Sequence, residues 1–441
     1  MSRMMFKGRL KRTYKFLTDD LKAIVLEGYS TVSEEAEKAL TALLTGSQNS
    51  ELFKNRKGPL NASVDARRYV WNDFMDIGYI TFYGEDFADC GAFKMPLRGF
   101  FEQPTDHYRR ISCRMEKSGQ HITNRHLCIG SDPDQKTHFA YFQNFVTSYL
   151  NEKDTRVFAI SLHSVLSTGS RENDELADDD AVQLLMLLLR NGWLENSVLM
   201  FMATDHGQSM AEYGRTEQGT VDEHQAFFGI YVPSIFKSKY PDAVQNLLLN
   251  VHRLTTPFDI YATLRHMINF TTPKFGDLSQ KGISLFDEVP KERSCADAGI
   301  KAHFCPAVRW SNVPVDDAVV KRVAAAIVNK VNGRTAKERA LCAELSLSRI
   351  IRASEATVRV REVATKVEEM PDPIGTARAL DKLYKVHIVT DPGDARYEAS
   401  VVVRDVNKVL VDLDSVSRIN LYKDIPHCLI DLMDGDVYLA K

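Results

Sequence analysis

The stretch Val198-Leu-Met-Phe-Met-Ala203, followed directly by Thr204-Asp205-His206-Gly207, is the most informative about the fold. An unbroken run of apolar residues is typical of a strand that is buried on both faces, as in a parallel sheet. In an open parallel sheet, ligands bind beyond the carboxyl ends of the strands. We therefore expect Asp205 and His206 to lie side by side at a ligand-binding edge.

An Asp–His pair at such an edge has two interpretations. A carboxylate and an imidazole together are good ligands for zinc or a similar divalent ion. The same residues also fit a turn in which the aspartate bonds to its own backbone and the histidine has an ordinary partner. Position alone leaves both interpretations open, and the first predicts a metal site at Asp205 and His206.

The segments around this stretch predict strands that alternate with helices. Apolar runs at 157–162 and 226–232 predict strands, and helices are expected at 178–189 and 258–268. We interpret the three aspartates at 178–180 as a helix start rather than a metal site, because acids suit the positive end of the helix dipole. Alternating strands and helices indicate an α/β core.

The pattern changes after residue 310. A helix is expected at 316–331, whereas the charged stretch 352–368 has only weak patterning. Short β-branched runs separated by turn residues are typical of an antiparallel meander in a small α+β domain; they lie at 384–390, 397–403 and 409–413. The sequence therefore predicts an α/β domain over 1–310, and over 311–441 a helical connection and a small α+β tail domain.

Composition limits the class of protein. The chain has 441 residues, 44% of them hydrophobic, and a net charge of −3, which is ordinary for a folded globular protein and gives no reason to expect nucleic-acid binding. No apolar run approaches the ~20 residues of a membrane helix, and no secretory signal is visible. The seven cysteines form no CxxC pair, which argues against a zinc ribbon or a redox motif and leaves free thiols and long-range disulfides open.

Several motifs resemble a known family in their order and spacing. They include Gly78-Tyr79-Ile80-Thr81 with Glu85-Asp86, Gly99-Phe100 with Pro104-Thr105-Asp106-His107-Tyr108, Asp205-His206-Gly207, Leu254-Thr255-Thr256-Pro257-Phe258-Asp259 and His303-Phe304-Cys305. On these residues the chain is similar to an animal family of uncharacterised sulfatase-like proteins within the alkaline phosphatase superfamily. The resemblance implies a mostly parallel sheet flanked by helices, and phosphate- or sulfate-ester hydrolysis that uses one or two divalent metal ions, zinc or calcium.

Three features of the pattern of that family are missing here. The nucleophile position, counted between Gly28-Tyr29 and Leu43-Leu44-Thr45-Gly46, is Ala36, which has no nucleophilic atom. The central His/Asp pair is replaced by Thr168-Gly169. The family's first Asp, and the strand before it, are expected to precede Met1. The resemblance therefore predicts a catalytically impaired protein with a binding role; the alternative is a divergent metal-dependent phosphate- or sulfate-ester hydrolase.

Other side chains are candidates to replace the missing nucleophile and the missing metal ligands. The hydroxyls of Thr31, Ser33 and Thr41 lie near the nucleophile position in sequence, although the first two also fit a helix cap. Five further residues are candidates for an accessory role at the site: His163, Asp222, Glu223, His224 and Asp86. Each could equally have a structural role, as a core histidine, a member of an ion pair or a loop anchor.

The resemblance also implies an extracellular or membrane-anchored protein. Two glycosylation sequons, at Asn61 and Asn269, agree with such a location. Cys295 and Cys305 lie at family positions, and disulfides persist in oxidising surroundings. The expected partner is an unidentified extracellular ligand or protein.

Overall fold

The described residues form two units. The first unit takes those within Met1–Gly207 and Gln225–Lys291, and the second takes those within Gln208–His224 and Glu292–Lys441. The domain limits predicted from the sequence, 1–310 and 311–441, stay a prediction. The computed structural model describes residues 2–33, 36–48, 64–86, 92–93, 99–109, 128–129, 132–149, 152, 154–163, 174–203, 224–336, 339, 342–358, 381–404 and 408–419.

The first unit mixes helices and strands, as the sequence predicts. Its helices are α1 (Arg3–Arg9), α2 (Lys11–Lys15), α3 (Ala36–Thr45), α4 (Val70–Asp76), α5 (Asp134–Tyr149), α6 (Asp178–Arg190), α7 (Ser234–Lys239), α8 (Pro241–Leu249) and α9 (Pro257–Ile268). Its strands are β1 (Ile24–Val25), β2 (Ile80–Glu85), β3 (His107–Arg109), β4 (Cys128–Ile129), β5 (Asp132–Pro133), β6 (Val157–Leu162), β7 (Leu199–Met202) and β8 (Phe228–Tyr231).

Three strands of the first unit form a parallel sheet in the order β3-β2-β6. The central strand β2 pairs with β6 over its whole length, from Ile80 opposite Val157 to Glu85 opposite Leu162. Five of the six residues of β2 are buried. Because β2 and β6 are parallel, their carboxyl ends lie at the same edge of the sheet, which is where ligands bind in open α/β sheets.

Three other strands of the first unit pair antiparallel, in the order β1-β8-β7. Met200 of β7 lies opposite Ile230 of β8, and all four residues of β7 are half-buried. Strand β7 is therefore antiparallel to β8, and burial on both faces is not observed for β7. An apolar run does not specify the direction of its neighbour, and within the described residues β7 has one neighbour only. The described sheets are small, and a mostly parallel central sheet stays a prediction.

Aspartate side chains cap the beginnings of helices α2 and α9. The three aspartates 178–180 do begin helix α6, and the Asp178 carboxylate accepts the backbone N–H groups of Arg12 and Thr13 at 3.0 and 2.8 Å. It thereby satisfies free donors in the first turn of α2. Helix α9 begins with a capping box, in which the Asp259 carboxylate accepts the Thr256 N–H at 2.7 Å.

The second unit contains helix α10 (Ala318–Arg334) and an antiparallel sheet. The strands are β9 (Ser311–Val313), β10 (Ser346–Val358), β11 (Asp381–Asp391), β12 (Ala395–Arg404) and β13 (Lys408–Arg418), in the order β13-β12-β11-β10-β9. The predicted helix and the three-strand meander are confirmed. One face of the sheet packs against α10 through Val386 and Ile388, whereas Leu383 and Val402 on the other face pack near Trp310.

A disulfide bond and the length of the helices complete the description of the fold. Cys295 and Cys305 form a disulfide bond within the second unit, so these two thiols are paired with each other. Among the helices of the described residues, none is both long and apolar enough to span a bilayer.

Candidate functional site

The carboxyl ends of β2 and β6 bring two of the predicted accessory residues together. Asp86 follows the last residue of β2, and His163 follows the last residue of β6. Because Glu85 and Leu162 are opposite each other, the next residue of each strand falls at the same level. The Asp86 Oδ2 atom accepts a hydrogen bond from His163 Nδ1. Asp86 is fully buried, and 18% of the His163 side chain is exposed.

This contact determines which ring nitrogen of His163 carries a proton. An ionised carboxylate only accepts hydrogen bonds, so Nδ1 must be the protonated nitrogen. In the neutral ring, Nε2 then carries a lone pair that can accept a proton or bind a metal ion. Nε2 is shielded from solvent, and no described residue gives it a hydrogen-bond partner.

A second histidine lies beside the first, with its ring centroid 6.3 Å from that of His163. The guanidinium of Arg109 donates to Nδ1 of His138 at 3.0 Å, and Nε2 lies 2.8 Å from Ser161 Oγ. Arginine has no acceptor atom, so Nε2 of His138 must be the nitrogen that donates. Both nitrogens of His138 are therefore engaged. The same Arg109 donates to the Glu85 carbonyl at 3.0 Å and so ties strand β3 to β2.

The electrostatic surroundings keep His138 neutral. Burial disfavours its charged form and is the main reason that its pKa falls to about 3; the nearby Asp86 carboxylate opposes the shift, and Arg109 and His163 add to it. A neutral imidazole fits its role as an acceptor from Arg109. It also places no positive charge next to the ring of His163.

Glu85 has a structural role next to this pair. Its carboxylate accepts the Ala92 N–H at 2.7 Å and the hydroxyl of Tyr83. Burial, with Glu85 as the next cause, raises the pKa of Tyr83 well above its usual value, so the phenol keeps its proton and donates. Glu85 therefore anchors the segment that contains Ala92.

The position that the family resemblance assigns to the nucleophile falls on helix α3. Ala36 is the first residue of α3. The hydroxyls of Thr31 and Thr41 have local partners: Thr31 Oγ1 donates to the Ser33 carbonyl at 2.7 Å and accepts the Ser33 N–H at 3.3 Å. Thr41 Oγ1 donates to Glu37 Oε1 at 3.1 Å, inside the helix.

The ion pair that holds Thr41 is almost completely buried. Arg67 Nη1 lies 2.9 Å from Glu37 Oε1, and the two side chains are 8% and 2% exposed. Arg67 also donates to Thr41 Oγ1 at 3.1 Å. The hydroxyl of Thr41 therefore belongs to a structural network between α3 and the segment before α4.

The remaining predicted site residues do not join the Asp86–His163 pair in the described part of the chain. His224 belongs to the second unit, where its ring packs 5.9 Å from His303 and 5.5 Å from Phe304. The described residues contain no cluster of three or more His, Cys, Asp or Glu side chains that could hold a metal ion. Six positions lie outside the described residues: Asp205, His206, Asp222, Glu223, Thr168 and Gly169.

The second unit contains a different histidine–carboxylate pair. His387 of β11 lies directly opposite Glu398 of β12, and their side chains are in contact. Lys385 Nζ lies 3.4 Å from Glu398 Oε1, and the lysine side chain is 8% exposed. Burial raises the pKa of the Glu398 carboxyl, but Lys385 and His387, with a smaller effect from His303, outweigh it and hold the pKa well below its usual range.

Comparisons with known proteins show the family. No curated protein matches the chain. One solved structure, the C-terminal periplasmic domain of the phosphoethanolamine transferase EptC from Campylobacter jejuni, is 12% identical, with a TM-score of 0.37, over 58% of this chain and 81% of that one. The family model described as "Protein of unknown function (DUF229)" matches residues 1–351. Since that match spans most of the sequence, the chain belongs to the DUF229 family.

Proposed function

We propose that this chain is a sulfatase-like protein of the alkaline phosphatase superfamily in which ester hydrolysis is lost or severely weakened. The observation that carries the proposal is the place of Ala36, the first residue of α3. A helix N-terminus offers backbone N–H groups and a positive dipole end to an anionic group. The helix is kept here, but a methyl group stands where the family has a nucleophilic hydroxyl.

The neighbouring hydroxyls support this proposal. Thr31 is engaged with the backbone of Ser33, and Thr41 belongs to the buried Glu37–Arg67 pair. A nucleophile must be placed next to a general base or a metal ion that activates it. Neither threonine has an imidazole or an unpaired carboxylate among its hydrogen-bond partners given above.

A divalent metal ion remains part of the proposal. Asp205 and His206 are its predicted ligands, and the unpartnered Nε2 of His163 with its Asp86 partner fits such an ion. A bound metal ion would act as a Lewis acid towards an ester oxygen. The chain's own residues supply the orientation: Asp86 fixes the ring of His163, and Arg109 fixes the ring of His138.

An extracellular or membrane-anchored location is also proposed. It is supported by the Cys295–Cys305 disulfide, since disulfides persist in oxidising compartments. It is further supported by the sequon at Asn269, which is exposed at the end of α9. In cells that secrete the chain, we expect N269Q to lose one glycan that an endoglycosidase removes from the wild type; identical migration would contradict this. The proposed partner is an extracellular ligand or protein.

The second candidate function is a divergent metal-dependent hydrolase of phosphate or sulfate esters. The specific observation in its favour is the Asp86–His163 pair, because an imidazole oriented by a buried carboxylate is also the arrangement of a general base. In that case His163 would be essential for turnover.

Turnover of nitrophenyl phosphate and nitrophenyl sulfate tests the proposal. The wild-type chain is assayed with zinc, calcium or manganese, and D205A and H163A are the matched variants. We expect no metal-dependent turnover above the level of the variants. Metal-dependent turnover in the wild type that D205A abolishes would overturn the proposal, and its loss in H163A as well would favour the divergent hydrolase.

A further inference from the structure

We infer that His163 is a ligand of a divalent metal ion of the zinc type, with Nε2 as the ligating atom and Asp86 as the carboxylate that orients the ring. This inference rests on the divalent ion of the proposed function, and it identifies a ligand at a position that the family's motif does not supply. The motif supplies a His/Asp pair at the positions that are Thr168 and Gly169 here. His163 lies five residues before Thr168, directly after strand β6.

The direction of the hydrogen bond is the first argument. Asp86 accepts a hydrogen bond from the Nδ1–H group, which leaves the lone pair of the neutral ring on Nε2. Histidines that bind metal ions almost always donate their other ring N–H to a carboxylate, a carbonyl or water. The Asp86–His163 pair already has this arrangement.

The burial of the nitrogen is the second argument. Nε2 of His163 is shielded from solvent and has no partner among the described residues. Leaving a buried polar atom without a partner costs its full desolvation free energy, so nearly all such atoms in native proteins are satisfied. A metal ion satisfies the nitrogen, and the fully buried carboxylate of Asp86 compensates part of the added charge.

The neighbouring histidine shows that the arrangement is specific. The ring of His138 is stacked 6.3 Å from that of His163, but Arg109 and Ser161 occupy both of its nitrogens. Of the two stacked histidines, His163 alone has a nitrogen without a partner among the described residues.

The ligand chemistry selects the type of metal ion. Imidazole nitrogen suits zinc, copper, iron and nickel, whereas calcium and magnesium prefer oxygen ligands. A site that includes His163 is therefore expected to prefer zinc or cobalt to calcium. This narrows the choice between zinc and calcium that the sequence leaves open.

Calorimetric titration of the full chain with zinc tests the inference. The variants are H163A, H163Q and D86N, and the matched control is H252A. His252 also pairs with a carboxylate, Glu27 at 2.9 Å, but 74% of its side chain is exposed. We expect D86N to weaken zinc binding about 10- to 100-fold, as for other carboxylates that orient a metal-bound histidine. H163A and H163Q should weaken it more, and H252A should leave it unchanged.

The outcomes separate this inference from the proposed function. If D205A abolishes zinc binding while H163A, H163Q and D86N bind as the wild type does, the inference is overturned and the predicted metal site stands. If the wild type binds no zinc, both the predicted metal site and the inference fail, whereas the loss of hydrolysis is tested separately by turnover.

A measurement that leaves His163 intact covers the case in which its variants do not fold. The H206A variant lacks the other predicted imidazole ligand, and X-ray absorption reports the ligands of the zinc ion that it binds. We expect scattering from an imidazole ring to remain in that spectrum. A ligand shell of oxygen atoms alone would overturn the inference.

Discussion

Each of the two units contains a histidine paired with a carboxylate, and the two pairs differ in what surrounds them. In the second unit, His387 and Glu398 face each other across two antiparallel strands, and Lys385 supplies a compensating positive charge. In the first unit, Asp86 and His163 meet at the ends of two parallel strands, and His163 keeps a shielded nitrogen that no described residue satisfies. A histidine–carboxylate pair alone therefore does not indicate a functional site, and the unsatisfied nitrogen of His163 is the difference on which our inference rests.

The two histidine–carboxylate pairs also differ in the direction of the strands that hold them. Cross-strand neighbours in the middle of an antiparallel sheet stabilise the sheet. Residues that follow the ends of parallel strands lie instead at the edge where ligands bind. We therefore interpret the Lys385–His387–Glu398 group as structural and the Asp86–His163 pair as functional.

The largest expected effect on the free energy of unfolding comes from removing the lysine of the Lys385–His387–Glu398 group. K385M leaves the carboxylate of Glu398 in a buried site without its ammonium partner, which should lower the free energy of unfolding by about 3 kcal/mol or more. The matched control is K382M, three residues earlier, because Lys382 is 52% exposed and pairs with Glu355 at 3.1 Å. We expect the control to cost at most about 1 kcal/mol. Urea unfolding followed by circular dichroism measures both, and equal effects would contradict the structural interpretation.

A smaller effect is expected from the buried histidine next to the candidate site. The pKa of His138 is about 3 in the folded chain and 6.5 without the fold. Below pH 6.5 the unfolded chain binds a proton that the folded chain does not, so stability falls with falling pH until about pH 3. The slope is about 1.4 kcal/mol per pH unit, or about 2 kcal/mol between pH 6.5 and pH 5.

The variant H138Q isolates that contribution. A glutamine can accept from Arg109 and donate to Ser161, but it does not titrate. We expect unfolding curves of H138Q to show a pH slope that is smaller than that of the wild type by about one proton between pH 6.5 and pH 5. Identical slopes in H138Q and the wild type would show that His138 is not a buried neutral group.

The smallest expected effect on stability in the accessible pH range comes from the titration of Glu398. Its folded pKa is depressed, so it stabilises the fold above the unfolded glutamate pKa of about 4.3 and loses this contribution as the pH falls through the folded value. We expect the stability of the wild type to fall below pH 4.3 more steeply than that of E398Q. A steeper fall in E398Q would contradict the account of this group.

Local patterns predicted the elements whose formation depends on local sequence. The meander in the second unit follows from β-branched runs separated by turn residues, and its strands are observed at β11, β12 and β13. Helix α6 follows from its aspartates and its apolar run. Strand β10 was not predicted, because register shifts between Leu347 and Arg349 and between Ile350 and Arg352 interrupt the alternation that identifies a strand.

The candidate site depends on contacts that no local pattern contains. Asp86 and His163 are 77 residues apart. In the sequence they were two of five accessory residues, and nothing there linked them to each other. The register between β2 and β6 brings them together. His138, Arg109 and Ser161 were missed, because each comes from a different element and none belongs to a motif with a spacing of its own; the only signal was that Arg109 directly follows a family motif. The antiparallel pairing of β7 with β8 was missed because it too is a contact between distant segments.

The most direct test of the central claim asks whether the chain can form a covalent intermediate. The full chain is incubated with zinc and excess nitrophenyl phosphate, stopped in acid and measured by intact mass spectrometry. Because our proposal assigns the nucleophile position to Ala36, the first residue of α3, we expect no added phosphoryl group. A phosphoryl group mapped to Thr31, Ser33 or Thr41 would contradict the claim that the nucleophile is lost.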